Sequence, residues 1–182
     1  MSEQKQQGMT ELILGGARSG KSRLAELTAS ESGKQVIYIA TATAGDDEMA
    51  ERIARHRQDR PSEWLVVEEP IALATVISRY NQPNHCLLID CLTLWLTNCL
   101  FDRDADIDWS NQKQALLNSL DDFVGHIILV SNEVGQGIVP MGEMSRRFVD
   151  ESGWLHQAIA QQVDKVTFVT AGLPQVLKDV NR

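Results

Sequence analysis

Apolar residues fall along this chain in short, nearly continuous runs separated by amphipathic or polar stretches. Glu11 to Leu14, Gln35 to Ala40, Trp64 to Val67, His85 to Asp90, Ile127 to Ser131 and Val166 to Thr170 each read as a strand. Most are β-branched and apolar at successive positions, the pattern of strands buried on both faces. Between them the periodicity turns helical. Helices are expected over Ser22 to Ser30 (ending near Gly33), Asp46 to Arg57, Ile71 to Tyr80, Leu92 to Phe101, Trp109 to Phe123 and Trp154 to Val163. Asp46, Asp47 and Glu48 open the second of these and Arg55 and Arg57 close it, as the helix dipole favours. Leu92 to Phe101 is apolar enough for a buried helix, whereas Trp109 to Phe123 suits the surface. Met141 to Asp150 shows no clear period, and Ala171-Gly172-Leu173-Pro174 leads into a short tail. Strand, helix, strand at this spacing calls for a parallel sheet with helices on both faces, an α/β fold.

Composition narrows the class. A chain of 182 residues with 43% hydrophobic and 23% charged content supports one domain, expected over 10–182 behind a polar leader over 1–9. No repeat or low-complexity tract divides it. The formal net charge of −8 argues against a nucleic-acid or membrane-surface binder, so a phosphate site here must be locally basic on an acidic body. Cys86, Cys91 and Cys99 form no C-x-x-C pair, and an odd count without a signal peptide fits a reducing cytoplasm. No apolar run approaches the roughly 20 residues that span a bilayer.

The chemistry is concentrated in Gly15-Gly16-Ala17-Arg18-Ser19-Gly20-Lys21-Ser22, which reads G-x-x-x-x-G-K-S. Glycines permit a tight turn whose successive N–H groups face phosphate oxygens. Lys21 reaches the outer phosphates and the Ser22 hydroxyl can ligate Mg²⁺. A strand enters and a helix leaves, so the anion would sit at a helix N-terminus. The fold expected is therefore of the P-loop NTPase type (RecA-like), in a single domain. Asp90 ends an apolar strand, where it is either a Mg²⁺ ligand or a turn residue. Asn132 to Pro140, with two glycines and a proline, reads as a shaped wall at a strand end. Of the four histidines, His85, His126 and His156 read as packing or solvated residues, and no pair has the helical spacing of zinc ligands. His56 shares a stripe with Met49 and Ile53, which favours a half-buried structural role. Arg52, Arg55, Arg57 and Arg60 surround it, and such cations favour a neutral, nucleophilic imidazole. Both readings stand on pattern alone.

Taken together, these residues closely resemble the bifunctional adenosylcobinamide kinase / adenosylcobinamide-phosphate guanylyltransferase family of cobalamin biosynthesis. The resemblance runs from Leu12 to Gly172. It is carried by Gly15 to Ser22, Tyr38-Ile39-Ala40-Thr41, Asp47-Glu48-Met49, Arg52-Ile53, His56-Arg57, Arg60-Pro61, Trp64 and Glu68. Asp90-Cys91-Leu92-Thr93, Asn98, Asn132-Glu133-Val134-Gly135 and Gly137-Ile138-Val139-Pro140 complete it. It implies phosphorylation of the aminopropanol hydroxyl of adenosylcobinamide by ATP or GTP. Transfer of GMP from GTP, through a histidine, to the phosphorylated product would follow. By motif, His56 would carry the GMP and Lys21 would act at the phosphates. Gly15, Gly16, Ala17, Arg18, Ser19, Gly20, Lys21 and Ser22 would bind phosphate. Ala40, Thr41, Ala42, Arg57, Gln58, Asp59, Arg60, Glu68 and Asp90 would contact the guanine nucleotide, and Ser22 and Asp90 would hold Mg²⁺. Position 55 is Arg where some relatives carry a second histidine. Relatives assemble as small oligomers, so a homo-oligomer is expected. Leu94-Trp95-Leu96 suits either a subunit contact or a core helix. A single-activity P-loop small-molecule kinase, or a non-catalytic nucleotide switch, would share the loop but leave His56 unused.

Overall fold

The computed structural model describes residues 8–42, 61–102 and 106–180. The helix expected over 46–57 lies outside them. All six expected strands form: β1 (Met9–Gly15), β2 (Gln35–Ala40), β3 (Leu65–Glu68), β4 (His85–Asp90), β5 (His126–Asn132) and β6 (Lys165–Thr170). The described helices are α1 (Lys21–Glu31), α2 (Leu73–Arg79), α3 (Leu92–Phe101), α4 (Trp109–Asp121) and α5 (Glu143–Gln162).

Three expectations need correcting. The tail after Ala171 is not a loose end but a seventh strand, β7 (Leu173–Asp179), antiparallel to β6. The indistinct stretch after Met141 and the helix expected from Trp154 are one 20-residue helix, α5. The helix expected from Ile71 starts at Leu73, because Glu69 Oε1 accepts the N–H groups of Ile71 and Ala72 at 2.9 and 2.7 Å and holds that turn outside the helix.

The sheet order is β3-β2-β4-β5-β1-β6-β7, and every pair but β6–β7 is parallel. Alternation along the strands divides the core in two. Leu12, Leu14, Ile37, Ile39, Leu87, Ile89, Ile127 and Leu129 face the side covered by α2, α3, α4 and α5. Ile13, Val36, Tyr38, Leu88, Ile128 and Val130 face α1, where Ala25 and Ala29, one turn apart, present small side chains to the sheet. Helices thus lie on both faces. Trp95 is fully buried, packs edge-on against Trp109 at 5.2 Å and donates its indole N–H to Ile71 O at 2.7 Å; Leu96 is buried beside it. Of the two readings of Leu94 to Leu96, a core helix is the one found for Trp95 and Leu96.

The end of the sheet away from the strand carboxyl tips holds a buried charge cluster. Glu11, 2% exposed, lies 2.8 Å from His126 Nε2 and 3.3 Å from Lys165 Nζ. Burial works to raise the Glu11 pKa, but the His126 hydrogen bond and the Lys165 charge together outweigh it and hold the carboxyl below its ordinary range. A depressed carboxylate stabilises the fold above its unfolded pKa and loses that contribution as pH falls through the folded value. Stability should therefore drop on acidification from pH 5 downward. Glu11→Gln should be less stable at pH 7 and show a shallower acid decline, as read from urea midpoints against pH. No helix among the described residues is long and apolar enough to cross a membrane.

Candidate nucleotide site

The strand register sets out the carboxyl-end rim residue by residue. Glu68 pairs with Ala40, and Ala40 with Asp90. Asp90 pairs with Val130 on β5, and two residues further on Asn132 pairs with Gly15 of β1. From the sheet edge inward the rim thus runs Glu68, Ala40, Asp90, Asn132, Gly15. The apolar strands bury the core, and Glu68, Asp90 and Asn132 stand where β3, β4 and β5 leave it.

Gly15 ends β1, and Gly16 to Gly20 form the loop that enters α1 at Lys21. Arg18 has φ 55° and Gly20 φ 96°, so the loop turns twice through left-handed backbone. A side chain at Gly20 would also come within 3.1 Å of Gly172 Cα, and one at Gly15 would meet Val169 O at 2.7 Å and the Ser19 side chain. The loop is tied down by Ser19 N–H to Gly16 O at 3.3 Å and Gly172 N–H to Ser19 O at 2.8 Å. The first turn of α1 carries no acidic residue to compete for its free N–H groups. Lys21 Nζ donates to Gly16 O at 3.2 Å, folded over its own loop. The Ser19 hydroxyl is buried without a hydrogen-bond partner among the described residues.

Asp90 is half-buried at the tip of β4, its Oδ2 accepting from Tyr38 O–H at 2.9 Å. β5 stands between β4 and β1, which separates Asp90 from the loop strand by two strand spacings, about 10 Å. Thr41 is fully buried. Its hydroxyl donates to Cys91 O at 2.7 Å and accepts Cys91 N–H at 2.9 Å, joining the ends of β2 and β4. Asn98 Nδ2 holds Thr41 O and Pro70 O at 2.9 and 3.0 Å. Burial pushes the Cys91 and Cys99 thiols up, Cys99 to about 12, which keeps both protonated and inert.

The structure therefore brings Gly15 to Ser22, Ala40, Thr41, Ala42 and Asp90 to one rim, with Glu68 at its outer end. His56, Arg57, Gln58, Asp59 and Arg60 lie outside the described residues. Polar residues given no site role from sequence also meet here. Asn132 N–H donates to Thr93 Oγ1 at 2.8 Å, Thr93 Oγ1 lies 3.2 Å from Ser131 Oγ, and His156 Nε2 lies 2.8 Å from Ser131 Oγ. His156 Nδ1 is 3.8 Å from Glu133 Oε2. Burial lowers the His156 pKa, against the opposing pull of the Glu133 charge, and keeps the ring neutral. The spacing of 25 residues between Ser131 and His156 left no local signal of this contact.

A glycine-rich loop between an interior strand of a mostly parallel sheet and a helix, with an acid at the tip of the next strand but one, defines a P-loop NTPase-type α/β fold. Solved structures agree on the fold. A protein from Pyrococcus horikoshii OT3 matches with TM-score 0.58 at 10% identity, covering 95% of this chain and 87% of that one. An ATPase from the type III secretion system of pathogenic bacteria matches with TM-score 0.52 at 15% identity, covering 90% of this chain and 51% of that one. At those identities the likeness concerns fold alone.

Sequence comparison is more specific. Residues 11–177 match the family described as cobinamide kinase / cobinamide phosphate guanyltransferase, and the chain belongs to that family. The bifunctional adenosylcobalamin biosynthesis protein CobP of Pseudomonas aeruginosa is 59% identical over 170 residues, covering 93% of this chain and 98% of the relative. The bifunctional adenosylcobalamin biosynthesis protein CobU of Escherichia coli is 40% identical over 179 residues, and that of Salmonella typhimurium 37%; each alignment covers 92% of this chain and 98% of the relative. The protein is an enzyme of the transferase class.

Proposed function

We propose that this enzyme phosphorylates the aminopropanol hydroxyl of adenosylcobinamide with a nucleoside triphosphate. It then transfers GMP from GTP, through a covalent histidine–GMP intermediate, to the phosphorylated product, giving adenosyl-GDP-cobinamide. The observation that carries this reading is the family match over 11–177, which takes in both the P-loop and the His56 segment. Assembly as a single domain over 10–182, cytoplasmic residence and a homo-oligomeric state belong to the same reading.

The loop amides from Gly16 to Lys21 and the α1 N-terminus would bind the triphosphate, and Lys21 would exchange its bond to Gly16 O for outer phosphate oxygens. Ser22 hydroxyl and Asp90 carboxylate would supply hard oxygen donors of the kind Mg²⁺ takes, with phosphates and water as the others. Mg²⁺ bound there would neutralise charge on the phosphates. Tyr38 fixes one Asp90 oxygen, and among the described residues no hydrogen bond takes the other. Ala40, Thr41, Ala42 and Glu68 would flank the guanine nucleotide, with Arg57, Gln58, Asp59 and Arg60.

His56 would attack the α-phosphorus of GTP, the P–O bond to pyrophosphate would break, and the phosphoramidate would pass its GMP to the corrinoid phosphate. The other three histidines are poor acceptors. Each is buried and already bonded: His85 Nδ1 to Tyr80 O at 2.9 Å, His126 to Glu11 and His156 to Ser131.

The direct test is incubation of the purified protein with adenosylcobinamide, ATP, GTP and Mg²⁺, followed by mass spectrometry of the corrinoids. Both the phosphate and the GDP derivative are expected, and recovery of unmodified adenosylcobinamide alone would refute the reading. Asp90→Asn keeps the shape but removes the charge, so half-maximal phosphorylation should require several-fold more Mg²⁺. An unchanged Mg²⁺ titration would reduce Asp90 to a strand-end residue.

A further inference from the structure

Phosphorylating an alcohol requires that its proton go somewhere, and neither Lys21 nor a metal-bound Asp90 is suited to take it. We propose that Glu133 is the catalytic base of the phosphoryl-transfer step, an inference that rests on the kinase half of the function proposed above. In that step the acceptor oxygen would form a bond to the γ-phosphorus as the bond to the nucleoside-diphosphate oxygen breaks. The hydroxyl proton would pass to the Glu133 carboxylate and from there to solvent.

Glu133 stands at the centre of the rim. β5 pairs directly with β1 on one side and with β4 on the other, so its tip lies on the rim between the phosphate loop and Asp90. Glu133 is the residue after that strand, and its N–H donates to Gly15 O at 3.0 Å, at the entry to the loop. The other rim carboxylates are placed differently. Asp90 is bonded to Tyr38, Glu69 caps the turn before α2, and Glu68 lies at the outer end, on β3.

The side chain is also held in place. Glu133 Oε1 accepts the Gly135 N–H at 2.5 Å, which pins the carboxylate in a turn of the loop. Among the described residues Oε2 has no hydrogen bond, and the His156 ring lies 3.8 Å away, beyond hydrogen-bond length. The side chain is 21% exposed, so an acceptor can reach it.

The chain of polar groups behind it has one self-consistent direction. Asn132 N–H can only donate, so Thr93 Oγ1 accepts from it. If Thr93 O–H donates to Ser131 Oγ and Ser131 O–H donates to His156 Nε2, the imidazole proton resides on Nδ1 and faces Glu133. The opposite direction would turn a bare Nδ1 lone pair toward a carboxylate. His156 is neutral because it is buried, so it backs Glu133 without cancelling its charge. Thr93, Ser131 and His156 form the bonded wall behind the loop, and Glu133 is the group that meets the substrate.

The test compares Glu133→Gln and Glu133→Asp with the wild-type enzyme. The readouts are steady-state phosphorylation of adenosylcobinamide, affinity for a non-hydrolysable triphosphate analogue and thermal midpoint. Glu133→Gln should lose at least about a hundredfold in kcat, within the span of general-base catalysis. Nucleotide affinity should stay within a few-fold of wild type. Glu133→Asp, which keeps the carboxylate one methylene short, should recover part of the loss. Two results would overturn the proposal: Glu133→Gln turning over within about threefold of wild type, or Glu133→Asp no better than Glu133→Gln with nucleotide affinity lost in both. If the wild-type enzyme itself phosphorylates no cobinamide, the proposed function fails, and that outcome is distinct from either result in the variants.

Discussion

Lys21→Ala should lower phosphorylation of adenosylcobinamide by a hundred- to a thousandfold or more, roughly what removal of one preorganised charge-stabilising group from a transition state costs. The loop itself should survive the change. Its turn is held by Gly16, Ser19 and Gly172 backbone bonds, and Gly20 supplies the positive φ at the entry to α1. Among the described residues the lysine contributes its bond to Gly16 O to that structure. Far-ultraviolet circular dichroism and the thermal midpoint should accordingly change little while turnover collapses. A Lys21→Ala enzyme with near-normal kcat would remove the loop from the mechanism.

His56→Ala carries the second large effect, on the other half of the reaction. Guanylyl transfer should fall to background, because an alanine offers no atom to hold GMP and the displacement cannot be divided into two steps. Phosphorylation should be retained at least in part, since it draws on the loop, Lys21 and the rim carboxylates. His56 is flanked in sequence by Arg52, Arg55, Arg57 and Arg60, whereas the other three histidines are buried and bonded. Loss of both activities together, with intact folding, would mean that the two halves share more than the nucleotide site.

Much of this was legible before any coordinates. Strands buried on both faces announce themselves as apolar runs, so β2 and β4 begin and end where the sequence pattern begins and ends. The loop from Gly15 to Ser22 is legible for local reasons too: a side chain at Gly15 would meet Ser19 four residues on, and Gly20 takes a positive φ. β7 was illegible for the opposite reason. Leu173 to Asp179 is an edge strand with most residues exposed and with Pro174 inside it, a placement that only an unpaired edge tolerates. The first half of α5 was hidden because most of its residues from Glu143 to Arg147 face solvent, and Gly153 interrupts the helical pattern further on. Asp90 could be read as an acid at a strand end, but its Tyr38 partner came only from the β2–β4 pairing. The Thr93–Ser131–His156–Glu133 chain is wholly tertiary, gathered from α3, β5, α5 and the loop after β5. His156 therefore read as a packing residue when it stands behind the rim.

The central claim is that one P-loop fold runs both transfers, the second through a covalent histidine. Its most direct measurement uses the purified wild-type protein, Mg²⁺ and GTP labelled at either the α- or the γ-phosphate. Label from the α-phosphate should remain with the denatured protein, be lost in acid and persist in alkali, and map to the peptide containing His56. Label from the γ-phosphate should leave with pyrophosphate. No retained α-label, or α-label mapping to His85, His126 or His156, would contradict the account.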